Sequence, residues 1–339
     1  MWWIPSNFAS KRPYLEARGA IIKEIRRFFD GDGFLEVETP ILQICPVIDA
    51  HIRAFGTDLR CVDGQISRKL YLHTSPEFAM KKLMVAGLSK IYQICHVFRN
   101  GEDTARHSPE FTMIEWYRTN ADYNDIMSDC EGLLRACAKI SGISHFRHKN
   151  FECDPFADIE RITVREAFIK YAGFDLADYL DDVDGFRDRV YASGIRVAPD
   201  DAWDDLFFRV MDSKIEPVLG MGRPTFICDY PIAMASLSKP KTDDPRFAER
   251  FELYVCGIEL ANAFSELTDA AEQRRRYHIE MDIKEKYYGE RYPLDEDFIA
   301  ALEHGMPQSG GIALGVDRLV MLCTAADNID KVLWTPKPA

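Results

Sequence analysis

The sequence predicts an α+β fold: an antiparallel β-sheet flanked by helices, with a helical insertion. Three observations carry that expectation. Strand-like runs fall next to one another as hairpins, and helical segments gather in blocks instead of alternating with single strands as in βαβ units. The chain also closes on a glycine-rich strand that runs straight into a helix. Its 339 residues are 47% hydrophobic, enough for one full core, and no repeat or low-complexity linker divides them. A single domain over 1–339 is expected.

The elements follow in order. Residues 14–32 set Ile21, Ile22, Ile25, Phe28 and Phe29 at helical spacing, with Lys23, Glu24, Arg26 and Arg27 on the other face. Gly31 and Gly33 end this helix. FLEVETPIL (34–42) reads as a strand stopped by Pro40. Further strands are predicted near 52–57, 68–72, 91–98 and 110–118. Ser75-Pro76-Glu77 reads as an N-cap with proline in the first turn of a helix. From about 122 to 222, helical segments near 122–140, 163–170, 181–192 and 203–216 alternate with polar turns, which marks the insertion. Strands return at 224–230 and 251–267, and helices follow near 269–289 and 295–304. SGGIALGVDRLVML (309–322) closes the pattern.

Composition removes several function classes. With 42 basic and 55 acidic residues the net charge is -13, which argues against broad sequence-independent nucleic-acid binding while leaving room for a local basic patch. Nine scattered cysteines without a C-x-x-C pair read as reduced thiols in a cytoplasmic protein, not a disulfide framework or a zinc site. The first residues hold no apolar core of a signal peptide, and no apolar run has the length of a membrane span.

Three constellations carry chemistry. The first is FRNGEDTARHSPEFTMIEWY (98–117), two strands around a polar loop. Arg99 offers a planar fork suited to phosphate, or else ends a solvated surface hairpin. Glu115 stands in an apolar strand, where a carboxylate needs a partner. The second is ERFELYVCGIELANAFSEL (249–267). If the chain turns near Val255 to Gly257, Glu252 and Glu259 face each other across paired strands. Such carboxylates repel unless a cation lies between them, and few protein oxygens suit a nucleotide-bound Mg²⁺; a solvated edge hairpin is the alternative. Ala261 and Ala263 leave room beside Asn262 and Glu266. The third is GGIALGVDRL (310–319), where glycines permit close approach and Arg318 falls in the first turn of a helix, facing an anion or capping with Asp317.

These segments, with GDGFLEVETPIL (31–42), resemble the three signature motifs of class II aminoacyl-tRNA synthetases in their usual order. GFLEVETP resembles motif 1, a dimer interface. FRNGE…RHSPEF resembles motif 2, which holds ATP. GGIALGVDRL resembles motif 3, whose arginine meets the ATP tail. TSPE (74–77), EFTMIEWY (110–117) and ELANAFSEL (259–267) are similar to the lysyl subgroup. About 30 residues precede motif 1, too few for the anticodon-reading OB domain of a lysyl-tRNA synthetase. The architecture is therefore similar to the free-standing elongation factor P β-lysine ligase family, which activates (R)-β-lysine with ATP and joins it to a lysine side chain of elongation factor P. Ala313 stands where lysyl-tRNA synthetases usually have glycine and the ligases have alanine.

The resemblance implies roles for named residues. Arg99 bridges the α-phosphate and the substrate carboxylate, Phe111 stacks on adenine, and His107 and Arg318 hold the outer phosphates. Arg99 and Arg318 are thereby the catalytic residues. Asn100, Glu102, Ser108, Leu260 and Gly315 complete the nucleotide site, and Glu252 and Glu259 hold Mg²⁺. Glu77, Glu115 and Glu266, with Ser75, Pro76, Tyr117, Asn262 and Ala313, form a pocket for an amino acid with two ammonium groups. One departure stands out. The glutamate usual two residues after the motif 2 arginine is Gly101 here, and Glu102 follows, so either Glu102 or the backbone reads adenine. A homodimer is implied, and neither tRNA binding nor a membrane role is expected. The rival readings are a truncated lysyl-tRNA synthetase-like enzyme that charges tRNA, and a small-molecule amino-acid ligase.

Overall fold

A computed structural model describes every residue from 1 to 337 except Ile48 and Ser236. An eight-stranded sheet forms its centre. In spatial order the strands are Leu35–Glu36, Lys90–Phe98, Glu110–Thr119, Ser309–Gly315, Ile258–Ser265, Phe247–Val255, Thr225–Pro231 and Glu160–Thr163. The inner strands are antiparallel neighbours, as the hairpin-like runs predict. The two outermost strands instead join in parallel, Leu35–Glu36 beside Lys90–Phe98 and Glu160–Thr163 beside Thr225–Pro231. A parallel neighbour needs a long crossover, and local hairpin signals do not report it. FLEVETPIL pairs only at Leu35–Glu36 and Leu42–Gln43; the latter joins Gly56–Arg60 and Ile66–Leu72 in a small separate sheet.

Alternation decides what each face of the large sheet does. Ile114, Trp116, Ile312, Leu314, Phe251 and Leu253 point into one core with the helices Arg12–Gly31, Tyr123–Ile140 and Val316–Thr324. Phe29 lies at the middle of that core, its ring centroid 4.9 Å from that of Trp116 and 5.1 Å from that of Tyr92. Burying one such ring contributes about 2 kcal/mol. The Tyr123–Ile140 helix starts at Asp122, whose carboxylate accepts from the backbone N–H groups of Asn124 and Asp125, while the Asp125 carboxylate accepts from the Asp122 N–H. The odd positions of Glu110–Thr119, by contrast, face the opposite side of the sheet and build the cavity described below.

Within the stretch 122–222, two parts separate. The Tyr123–Ile140 helix belongs to the main core through Ile126, Cys130, Leu133, Leu134 and Cys137. The later helices form a second cluster around Phe168, Phe186, Leu206 and Phe207, which closes over Ile227, Tyr230 and Tyr254.

The hairpin of Phe247–Val255 with Ile258–Ser265 turns at Cys256 and Gly257, both with positive φ (53° and 68°), the turn whose twist suits two paired strands. A register shift beyond Leu253 pairs Glu252 with Asn262 and Tyr254 with Glu259. Glu252 and Glu259 are therefore not directly opposite, as the sequence predicts. They share a face as diagonal neighbours, because the two-residue turn sits closer to Glu259 than to Glu252.

Candidate active site

Two rows of side chains cross the sheet's open face. Glu115, Ala313, Asn262 and Glu252 stand side by side on four strands. Tyr117, Gly311, Phe264 and Arg250 form the adjacent row. Above them opens a cavity of about 340 Å³. Nearly every residue assigned by sequence lines it, from both the nucleotide and the amino-acid sets. Three do not. Asn100 is exposed and gives its N–H to the Arg53 carbonyl, Pro76 is buried at the start of its helix, and Glu266 lies behind Gly311.

The half of the cavity around Arg99 and Arg318, which the sequence expects to hold a nucleotide, is cationic. The Arg99 guanidinium lies 5.3 Å from the centroid of Phe111, and its Nη1 is 3.8 Å from Glu102 Oε1. Its buried Nε has no hydrogen-bond partner among the described residues. Gly101 has φ of 93°, a conformation that side-chain-bearing residues rarely adopt, and the turn it makes brings Glu102 to the cavity wall. The displaced glutamate of motif 2 therefore still reaches the nucleotide half. Arg318 Nη2 lies 2.6 Å from His107 Nε2, and Arg318 Nη1 donates to the Glu259 carbonyl. Burial, with Arg318 alongside, pushes the His107 pKa down to about 4. Neutral His107 then accepts from Arg318 at Nε2 and donates through Nδ1 to Thr104 Oγ1, 2.7 Å away. It orients a cation instead of adding one. Asp317 does not cap Arg318. It is buried, pairs with Arg18 of the first long helix and accepts from the Thr112 N–H at 2.7 Å.

Glu259 is the freer of the two metal-ligand candidates, with 42% of its side chain exposed and Arg318 Nη1 at 3.5 Å. Glu252 is already held by Arg250 Nη2 at 2.7 Å and by the Tyr254 hydroxyl at 3.0 Å. Burial raises the Glu252 pKa despite Arg250, with Glu259 adding to the rise. Among the described residues no group of three or more His, Cys, Asp and Glu stands together as a metal site. One or two carboxylates suffice for Mg²⁺ that arrives on a nucleotide, and the donor set fits that use.

The half around Glu77 and Glu115, which the sequence expects to hold the amino acid, is anionic and more deeply buried. Glu115 is 1% exposed. It accepts from Ser75 Oγ at 2.6 Å and from the Tyr117 hydroxyl at 2.8 Å, and among the described residues no cation pairs with it directly. Burial, then the charge of Glu77, raises its pKa to about 8. Ser75 also receives the Glu77 N–H at 3.1 Å, so it serves the helix start although Pro76 occupies the cap position. Glu77 and Glu266 are not empty receptors as the sequence implied. Lys81 Nζ lies 2.5 Å from each. A helix spacing of four makes Lys81 and Glu77 neighbours, but its place against Glu266 appears only in three dimensions. Arg250 was likewise missed; its spacing of two from Glu252 on one strand face was the available signal.

Over residues 7–339 the chain matches the family described as tRNA synthetases class II (D, K and N). It is 39% identical to the elongation factor P--(R)-beta-lysine ligase of Edwardsiella ictaluri across 98% of this chain and 96% of that protein. The corresponding ligase of Mannheimia succiniciproducens is 39% identical, with 94% and 93% covered. The lysine--tRNA ligase of Pelotomaculum thermopropionicum is also 39% identical over 95% of this chain, but the chain spans only 62% of that protein's length.

Proposed function

The chain belongs to the class II tRNA synthetases of the D, K and N group, and from that premise we propose that it is a cytoplasmic elongation factor P β-lysine ligase. It activates (R)-β-lysine, or lysine, with ATP and passes it to a lysine side chain of elongation factor P. The observation that carries this reading is Glu115, a buried carboxylate without a direct cation partner, in the same cavity as Arg99 and Arg318. An ammonium from the ligand completes it, and the cost of its burial is recovered on binding.

Two steps follow from the arrangement. An oxygen of the amino-acid carboxylate attacks the α-phosphorus, and pyrophosphate leaves. In this reading Arg99 neutralises both reacting groups, and Arg318, oriented by His107, meets the departing phosphates. Phe111 offers the ring on which adenine stacks. Glu259 and Glu252 would hold Mg²⁺, which would screen the phosphate charge. The neutral amine of the acceptor lysine then attacks the acyl carbon, AMP leaves, and an amide forms. Ala313, between Glu115 and Asn262, puts a methyl group on the pocket floor, worth about 1–3 kcal/mol of discrimination between lysine isomers.

The chain spans 96% and 93% of the two ligase relatives and 62% of the lysine--tRNA ligase. A homodimer is part of the reading: Leu35, Ile41, Leu42 and Ile44 of the motif 1 segment are all exposed in the single chain. No described helix is long and apolar enough to cross a membrane. The test offers ATP with lysine or (R)-β-lysine, and elongation factor P or tRNA as acceptor. Mass gain on elongation factor P is the expected result; charging of tRNA alone would overturn the assignment.

A further inference from the structure

Lys81 has no task in the scheme above, yet it is among the most deeply buried charged groups of the molecule. It is 1% exposed, on the Glu77–Val85 helix, with its Nζ at 2.5 Å from Glu77 Oε1 and 2.5 Å from Glu266 Oε2. Burial alone would lower its pKa, but the charges of Glu266 and Glu77 raise it above that of an ordinary lysine. The sheet is shaped around this bridge. A Cβ on Gly311 would stand 2.2 Å from Glu266 Oε1 and 2.3 Å from Tyr117 Cε1, so only glycine lets Glu266 and Tyr117 close over that strand.

The charge count gives the bridge a purpose. Glu77, Glu115 and Glu266 form one buried carboxylate cluster, and Lys81 is the cation within it. Arg250 pairs with Glu252 instead. Fully ionised, the cluster therefore keeps two negative charges. A diamino acid carries two ammonium groups, while its carboxylate goes to Arg99. Without Lys81 the cluster would hold a third, unmatched charge, and carboxylates that close do not all remain ionised.

We propose that Lys81 is a specificity-determining positioning residue: a built-in cation that bridges Glu77 and Glu266, sets the cluster's charge to match two amino groups, and leaves Glu115 as the docking carboxylate. This inference rests on reading the cavity as a diamino-acid adenylation site.

The test is amino-acid-dependent pyrophosphate exchange by the full chain. In Lys81→Met, the KM for the diamino acid should rise about tenfold or more while the KM for ATP stays within about twofold. In Lys81→Ala, added propylammonium, which replaces the missing side-chain end, should restore the diamino-acid KM, and 1-propanol should not. Lys81→Met combined with Glu266→Gln removes one charge of each sign behind the cavity wall. Its diamino-acid KM should fall well below that of Lys81→Met alone, since Glu77 and Glu115 keep two charges. The double variant also guards against a single variant that fails to fold. An unchanged diamino-acid KM in Lys81→Met, equal rescue by propanol, or a double variant no better than Lys81→Met would overturn the proposal. Absence of exchange by the parent protein with either lysine isomer would instead overturn the reading of the site on which the proposal rests.

Discussion

The two halves of the cavity solve opposite electrostatic problems. The half proposed for the nucleotide gathers Arg99 and Arg318 on loops and a helix start, with side chains 24% and 23% exposed, so water still screens them before ligand arrives. The amino-acid half encloses Glu77, Glu115 and Glu266 against a sheet, with exposures of 8% or less, and must compensate them internally. The first half can tolerate an idle cation. The second cannot tolerate an idle anion, which explains Lys81, the Ser75 and Tyr117 hydroxyls, and the raised pKa of Glu115.

Breaking the contrast at its cationic side should have the largest effect. Arg99→Ala removes the guanidinium beside Phe111 and should lower pyrophosphate exchange by ~10³-fold or more, measured at saturating ATP and amino acid. Robust exchange by that variant would remove Arg99 from the reacting centre. Gly311→Ala strikes the anionic side through shape alone. Its methyl would collide with Glu266 and Tyr117. We expect a stability loss of about 1–3 kcal/mol by denaturant titration and a raised amino-acid KM, with the ATP KM little changed.

Glu115→Gln sharpens the comparison through pH. Glu115 titrates near 8 when folded and in the ordinary carboxylate range when unfolded. Between those values the folded chain holds a proton that the unfolded chain has lost, so its stability falls as pH rises through the window. The Tm of the ligand-free protein should therefore drop between about pH 5 and pH 8, and drop less in Glu115→Gln. A bound diamino acid should flatten the slope in the parent protein, because it stabilises the ionised carboxylate. The smallest effect is expected at His107. With its pKa pushed down to about 4, it is neutral across the working range. His107→Gln keeps an acceptor for Arg318, and the KM for ATP should rise less than about tenfold. A parent profile of ATP KM with an inflection near an ordinary histidine pKa would contradict the neutral assignment.

Legibility followed the same division. The nucleotide half was readable because its ligands sit close together in sequence, on one hairpin and one strand-to-helix junction. Even there, Asp317 turned from a cap into the anchor of Arg18, since Arg18 lies almost the whole chain away. Of the carboxylates in the other half, Glu115 stood out by its placement in an apolar strand, while Glu77 and Glu266 came from the resemblance; their partner Lys81 came from neither. The edge strand Glu160–Thr163 escaped for a related reason: it pairs in parallel across a long helical excursion, and hairpin signals are local.

By itself, the sequence determined the alternation that turns Glu115 and Tyr117 toward one face and Ile114 and Trp116 toward the other. It also determined the glycines where backbone or side chains crowd, and the motif order that brings Arg99 and Arg318 to one cavity. These are properties of neighbouring residues, and neighbours are written in order. Tertiary structure alone decided the register that sets Glu252 beside Asn262, the contact of Lys81 with Glu266, and the neutral state of His107. Each depends on which distant groups share a dry space, where the energy of a charge is fixed by everything packed around it.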